Sequence, residues 1–191
     1  MRIVGGRLKG RSLISPKTKG LRPTADRVRE SIFNILVHGT DGFTLEDVAV
    51  IDVFCGTGAL GLEAISRGAR HGVFIDLDMC ALEYVNKNAG SMGLGGEVLT
   101  LKLDAKNLGQ PPESVKSPAA VVFMDPPYNQ GLADLALRGL KEKGWLESGA
   151  FCVVEIAVKE TLNIPKNFNL LNERNYGATR VVFLRFDSPY D

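Results

Sequence analysis

The sequence predicts a doubly wound α/β fold, a mostly parallel sheet covered by helices, and three observations carry that expectation. From residue 48 onward short apolar runs alternate with helical patterns, as strand–helix–strand units require. A glycine-rich stretch, Asp52-Val53-Phe54-Cys55-Gly56-Thr57-Gly58-Ala59-Leu60-Gly61, follows the first of these runs directly. The later runs end on acids, Asp76, Asp104 and Asp125, where open α/β sheets assemble their sites.

The expected strands are 48–54, 72–76, 98–103, 119–124 and 150–156, nearly continuous in apolar residues because a central parallel strand is buried on both faces. Helices are expected at 59–67, stopped by Gly68, at 79–89, where Leu82, Val85 and Ala89 share a face, and at 132–143. Segments 169–174 and 179–186 flank Asn175-Tyr176-Gly177-Ala178 and read as an antiparallel hairpin closing one edge of the sheet.

The first 45 residues are of another kind and read as a small extension packed on the core formed by residues 46–191. Ile3-Val4 and Ser12-Leu13-Ile14, separated by Gly5-Gly6 and Gly10, suggest a short hairpin with a loose loop at 15–20. After Pro23, Thr24 is a candidate cap for a helix whose Val28, Ile32, Ile35 and Leu36 form a stripe. The formal net charge of +1 hides an asymmetry: residues 1–29 hold nine Lys/Arg against Asp26 alone, a net +8, and the other 162 residues are net −7. A basic end on an acidic body points to a polyanion that docks on one face. Arg7, Lys9, Arg11, Arg22, Arg27 and Arg29 are the candidate phosphate contacts.

Other classes are disfavoured. No apolar run approaches the roughly 18 residues that span a bilayer, and the opening residues lack the apolar segment of a secretory signal. Cys55, Cys80 and Cys152 are odd in number and form no CxxC pair, so neither a disulfide framework nor a metal site is expected, and a reducing cytoplasm fits. His38 and His71 have no partners at ligand or triad spacing.

Gly56, Gly58 and Gly61 have GxGxxG spacing, which alone also suits a dinucleotide. Asp52 argues against that, since a carboxylate beside the loop would repel a pyrophosphate but could meet an amino group. The D-x-F-x-G-x-G pattern, with Phe54 between the acid and the glycines, resembles motif I of class I S-adenosylmethionine-dependent methyltransferases. Asp76 is placed to accept from both ribose hydroxyls, with Asp78 as an alternate, and the resemblance implies that Asp104 lies at the adenine edge. Asp125-Pro126-Pro127-Tyr128 combines a carboxylate, a backbone without two of its N–H donors and an aromatic ring. Acceptors from Asp125 and the Pro126 carbonyl suit an exocyclic amine with two donors, and Tyr128 suits stacking on a base. The quartet matches the Asp/Asn-Pro-Pro-Tyr/Phe signature of amino-methyltransferases acting on nucleic-acid bases.

Residues 2–11 (RIVGGRLKGR) and 22–34 (RPTADRVRESIFN), with the two motifs above, resemble over nearly the whole chain the bacterial 16S rRNA guanine-N2 methyltransferase family called RsmD. The resemblance implies a class I methyltransferase fold, S-adenosylmethionine as methyl donor and a guanine of 16S rRNA, free or in the small ribosomal subunit, as acceptor. A monomer without metal is expected. A DNA adenine-N6 or cytosine-N4 methyltransferase would use the same quartet but usually needs a separate duplex-reading module. A non-catalytic nucleotide-binding protein, or a NAD enzyme, would give no reason for Asp125 to Tyr128.

Overall fold

The computed structural model describes residues 1–16, 23–39 and 43–188, those at 23–25 by their backbone. Lys17, Lys19, Arg22, most of the expected 15–20 loop and the Thr24 cap therefore lie outside the described residues. Four α-helices are described, α1 (Pro23–His38), α2 (Ala59–Ser66), α3 (Met79–Met92) and α4 (Leu132–Glu142), and seven strands, β1 (Ala49–Val53), β2 (His71–Asp76), β3 (Val98–Lys102), β4 (Ala119–Met124), β5 (Leu146–Ala157), β6 (Phe168–Tyr176) and β7 (Thr179–Phe186). One sheet holds all seven in the order β3-β2-β1-β4-β5-β7-β6. The first five are mutually parallel, and β7 and β6 are antiparallel.

The parity of each strand decides which core its residues enter. Val50, Phe74, Val121, Phe123 and Val153 point to the face covered by α1, α2 and α3, where Ile32, Phe33, Leu62 and Val85 pack on them. Ile51, Val53, Ile75, Val122 and Val154 point to the other face, closed by Ala136, Leu137 and Leu140 of α4 and by the fully buried Trp145. The Trp145 indole donates to the Gly109 carbonyl at 2.8 Å and so pins the irregular 108–118 stretch. Asp52 falls on the α2 face as the polar residue of an otherwise apolar strand.

Several boundaries differ from the sequence expectation. Helix α3 runs past Ala89 to Met92 because buried Asn88 and Met92 hold its last turn, and left-handed Gly93 ends it. Strand β5 begins at Leu146, ahead of the expected 150–156. The amino-terminal hairpin is reduced to one antiparallel bridge, Arg2 with Ser12, around a 3-10 turn at Gly6–Leu8. This segment is stapled to α2. Ser66 Oγ donates to the Gly5 carbonyl at 2.6 Å and accepts from the Leu8 amide at 2.9 Å. Gly6, at φ 72°, lies so close that a Cβ would sit 1.9 Å from the Ser66 carbonyl oxygen, and only glycine fits. Ile3 and Leu13 complete the α2-side core.

Candidate functional site

The loop from β1 to α2 sits where strand order reverses between β2-β1 and β4, the usual crevice of such sheets. Its backbone is held in an uncommon shape. Phe54 adopts φ 58° and Gly58, in the left-handed region at φ 78°, caps α2. Positive φ at a bulky residue costs roughly 1–3 kcal/mol and is typical of functional loops. Gly61, the third glycine of the pattern, is a packing residue: a Cβ there would meet the Phe74 ring at 2.4 Å.

Two clefts open on this loop and share Phe54, Asp125 and Tyr128 as a common wall. The first, of about 620 Å³, is lined by Asp76, Asp104 and the apolar Ile75, Leu77 and Leu103. The second, of about 550 Å³, lies between the loop, α1 and the β6–β7 turn, and reaches Asp52, Glu155 and Thr179. Ser31 of α1 and Tyr176 share a 2.5 Å hydroxyl hydrogen bond across it.

Each acid has a distinct setting. Asp76 Oδ2 accepts from the Gly56 amide at 3.0 Å and Oδ1 from Asp78 at 2.9 Å, which orients the carboxylate at the mouth of the first cleft. Asp78 caps α3 through the Cys80 amide. Asp104 likewise caps a 3-10 turn, Ala105–Asn107, while lining the first cleft. Asp52 is buried, with Oδ2 accepting from the Gly61 amide at 2.8 Å. Burial raises its carboxyl well above the usual range, opposed by that amide and reinforced by the charges of Asp125 and Asp76.

Asp125 opens to solvent through the clefts, yet its surroundings are crowded with protein. Desolvation, and then the charge of Glu155, push its carboxyl up to about 7. Glu155 is raised for the same leading reason, and hydrogen bonds from Tyr128 and Thr179 oppose the rise. The Tyr128 hydroxyl donates to Glu155 Oε1 at 3.3 Å and pairs with Thr179 Oγ1 at 2.9 Å, fixing a ring that remains 40% exposed. Burial also raises the Cys55 thiol, so it is protonated at neutral pH and no ready nucleophile.

The structure thus brings Asp52, Phe54, Gly56, Asp76, Asp104, Asp125, Pro126 and Tyr128 to one pair of clefts, while Gly58 lines neither and serves as the left-handed cap of α2. Sequence reasoning missed Glu155 and Thr179. An acid interrupting the apolar run Phe151-Cys152-Val153-Val154-Glu155-Ile156 was the available signal for the first; Thr179 gave none. Asn88 was also missed. Fully buried, it exchanges hydrogen bonds with Ile14 and donates to the Thr57 carbonyl at 3.1 Å, tying the amino-terminal segment to the glycine loop.

Arg29 corrects the expected set of phosphate contacts. It is 4% exposed, with its guanidinium on Asp26 at 2.9 Å, Glu63 at 3.5 Å and the Arg2 carbonyl. A side chain consumed by a buried network cannot also reach an external phosphate. Arg7 is exposed but paired with Glu97, whereas Lys9, Arg11 and Arg27 face solvent. Among the described residues no three His, Cys, Asp or Glu gather in a metal-binding group, and no helix is long and apolar enough to cross a membrane.

Comparison with known proteins places the fold among characterised relatives. The family described as Conserved hypothetical protein 95 matches residues 1–185. Ribosomal RNA small subunit methyltransferase D of Escherichia coli (strain K12) is 36% identical over 93% of this chain and 85% of its own length. The protein of that name from Haemophilus influenzae is 34% identical over 93% and 89%. Among solved structures, yhhF of Escherichia coli superposes with a TM-score of 0.81 at 33% identity, covering 98% of each chain. A methylase-like protein of Haemophilus influenzae gives 0.78 at 29%, covering 97% of this chain and 98% of that one.

Proposed function

Because the chain belongs to the Conserved hypothetical protein 95 family, which includes the small-subunit rRNA methyltransferases D, we propose that it methylates the exocyclic N2 amine of a guanine in 16S rRNA, with S-adenosylmethionine as donor. The observation that carries this reading is the common wall: Asp125 and Tyr128 face both clefts, so a group held in one can meet a group held in the other. The first cleft fits the nucleoside of the donor. Its apolar walls suit an adenine, and Asp76, already oriented by two amides, presents a carboxylate to ribose hydroxyls. Asp52, on the floor of the second cleft, suits an amino group. When bound, S-adenosylmethionine supplies an electrophilic methyl on a sulfonium.

The remaining chemistry belongs to the chain. Tyr128, its hydroxyl tethered and its ring exposed, is a platform for an unstacked base. Asp125 and the Pro126 carbonyl hold the amine by its two N–H groups and favour pyramidal nitrogen as positive charge develops there. The Asp125 carboxylate, or water entering the open cleft, takes the surplus proton. No base is needed beforehand, because the neutral amine is the nucleophile. Lys9, Arg11 and Arg27 line up as phosphate contacts, and the protein acts in the cytoplasm, as a monomer.

Incubation of the protein and S-adenosylmethionine with naked 16S rRNA or small-subunit particles lacking the modification, followed by nucleoside mass spectrometry, tests the reading. N2-methylguanosine is the expected product. N6-methyladenosine or N4-methylcytidine would leave methyl transfer standing and overturn the acceptor.

A further inference from the structure

We infer that Glu155 selects guanine at this site, by accepting the ring N1–H that neighbours the exocyclic N2 amine. The inference rests on the amino-methyltransferase reading and adds to it a residue that decides which base the quartet accepts.

Strand register sets Glu155 beside Asp125. In the parallel pairing of β4 with β5, Met124 is the register partner of Val154, so Asp125 and Glu155 are the next residues on neighbouring strands. Both line the second cleft with Tyr128, and Glu155 Oε1 lies 3.3 Å from the Tyr128 hydroxyl. A base stacked on Tyr128, with its amine at Asp125, therefore presents an edge to Glu155.

The bases themselves differ at that edge. Acceptors at Asp125 and Pro126 satisfy the amine of adenine, cytosine or guanine equally, so the quartet alone does not choose. The ring position beside the amine does. In adenine it is N1 and in cytosine N3, both bare acceptors, whereas guanine N1 carries a proton. A second carboxylate at this point gains a charge-assisted hydrogen bond from guanine and meets a lone pair in the other two.

Nor is Glu155 needed to hold Tyr128. Thr179 already holds the Tyr128 hydroxyl at 2.9 Å. Among the described residues no Lys or Arg forms an ion pair with Glu155 or Asp125, and the surrounding protein disfavours both charges even though Asp125 opens to the clefts. Carboxylates without a counter-ion are favoured by added donors, and the guanine edge provides one to each, beyond the Tyr128 and Thr179 hydroxyls already on Glu155.

The test uses two RNAs that differ only at the nucleotide the wild-type protein methylates, one with guanosine and one with 2-aminopurine riboside, which keeps the 2-amine but has no proton at N1. The wild type should prefer guanosine by about a hundredfold or more in kcat/KM, since a site built for a donor rejects an analogue without it. Glu155→Gln, whose amide donates to a bare N1 but accepts from N1–H only as a neutral oxygen, should bring the two substrates within about tenfold by weakening guanosine and gaining 2-aminopurine. Glu155→Ala should narrow the ratio through loss of guanosine alone, and supplies the measurement if the glutamine variant does not accumulate folded. Calorimetric S-adenosylmethionine affinity within about twofold of wild type shows that the donor cleft is intact. A role confined to supporting Tyr128 would lower both substrates together, and an unchanged ratio overturns the inference, as does a wild type indifferent to N1. If the wild type methylates no guanine at all in small-subunit rRNA, the underlying reading falls first, a distinct result.

Discussion

Glu63 and the pair Asp125 and Glu155 are acids crowded by protein, with opposite company. Glu63, on α2, is fully buried, with Arg67 at 2.8 Å on Oε1, and the Val4 amide at 2.8 Å and Arg29 at 3.5 Å on Oε2. Arg67 also lies over the Phe33 ring at 4.8 Å, and so joins the charge network to the aromatic core. Asp125 and Glu155, at the ends of β4 and β5, have no described cation against them, and burial and mutual repulsion raise Asp125. A compensated acid belongs to the architecture. An uncompensated acid in a cleft is an expense of folding, and such groups cluster where chemistry is done.

The comparison is broken most directly at Glu63. Glu63→Ala leaves Arg67 without its carboxylate partner, leaves Arg29 to Asp26 and the Arg2 carbonyl and removes one tie of the amino-terminal segment to α2, so a loss of about 3–5 kcal/mol in unfolding free energy is expected. Urea denaturation measures it. A variant as stable as wild type would show that the network is decorative and that the apolar residues Ile3 and Leu13 hold the segment alone.

At the other pole, Asp125→Ala should leave stability nearly unchanged and lower turnover on the order of a hundredfold. The pH profile sharpens the point. With the Asp125 carboxyl raised to about 7, protonation below that pH removes a charge and an acceptor, so turnover should rise as pH increases through the neutral range. Stability should move the other way. A carboxyl raised by folding favours the native state below its ordinary value near 3.8, and that contribution disappears as pH climbs through the raised value. Asp52 is the buried example, so Asp52→Asn, which can still accept from the Gly61 amide, should flatten the decline in melting temperature with rising pH. A decline as steep as wild type would mean that Asp52 is not its source.

Much of this contrast was legible in the sequence, and the remainder had physical reasons for staying hidden. Local periodicity exposes which residues enter a core, so the alternation of strands and helices, the stripe on α1 and the hairpin of β6 and β7 could all be read. Strand ends are equally visible, and Asp76, Asp104 and Asp125 were found there. Partnership between distant residues is not local. Arg29 has the same letter as Arg27, two residues away, yet Glu63, 34 residues on, and the Arg2 carbonyl join Asp26 in holding one inward while the other faces water. Glu155 was passed over because one acid in a six-residue apolar run barely disturbs its pattern, although it lands beside Asp125. The extension of α3 to Met92 was hidden by Gly90 and Ser91, poor helix formers that tertiary burial of Asn88 and Met92 overrides.

The smallest effect expected concerns the basic end, where one family signature divides between architecture and binding. Truncation is the wrong tool, since Ile3 and Leu13 are core residues and removing them would disturb the fold. Lys9 and Arg11 are exposed on the short amino-terminal turn and can be changed singly or together. If each meets one RNA phosphate, each alanine should reduce the slope of log affinity against log salt by roughly 0.7–0.9, at unchanged S-adenosylmethionine affinity. Binding titrations at several salt concentrations read this directly. Arg29→Ala should behave in the opposite way, with a lower melting temperature and an unaltered salt slope, because its charge is spent on Glu63 and Asp26. A flat response to Lys9→Ala and Arg11→Ala would place the RNA elsewhere, and the basic signature would then act wholly as the staple that closes α1 and the amino-terminal turn over the site.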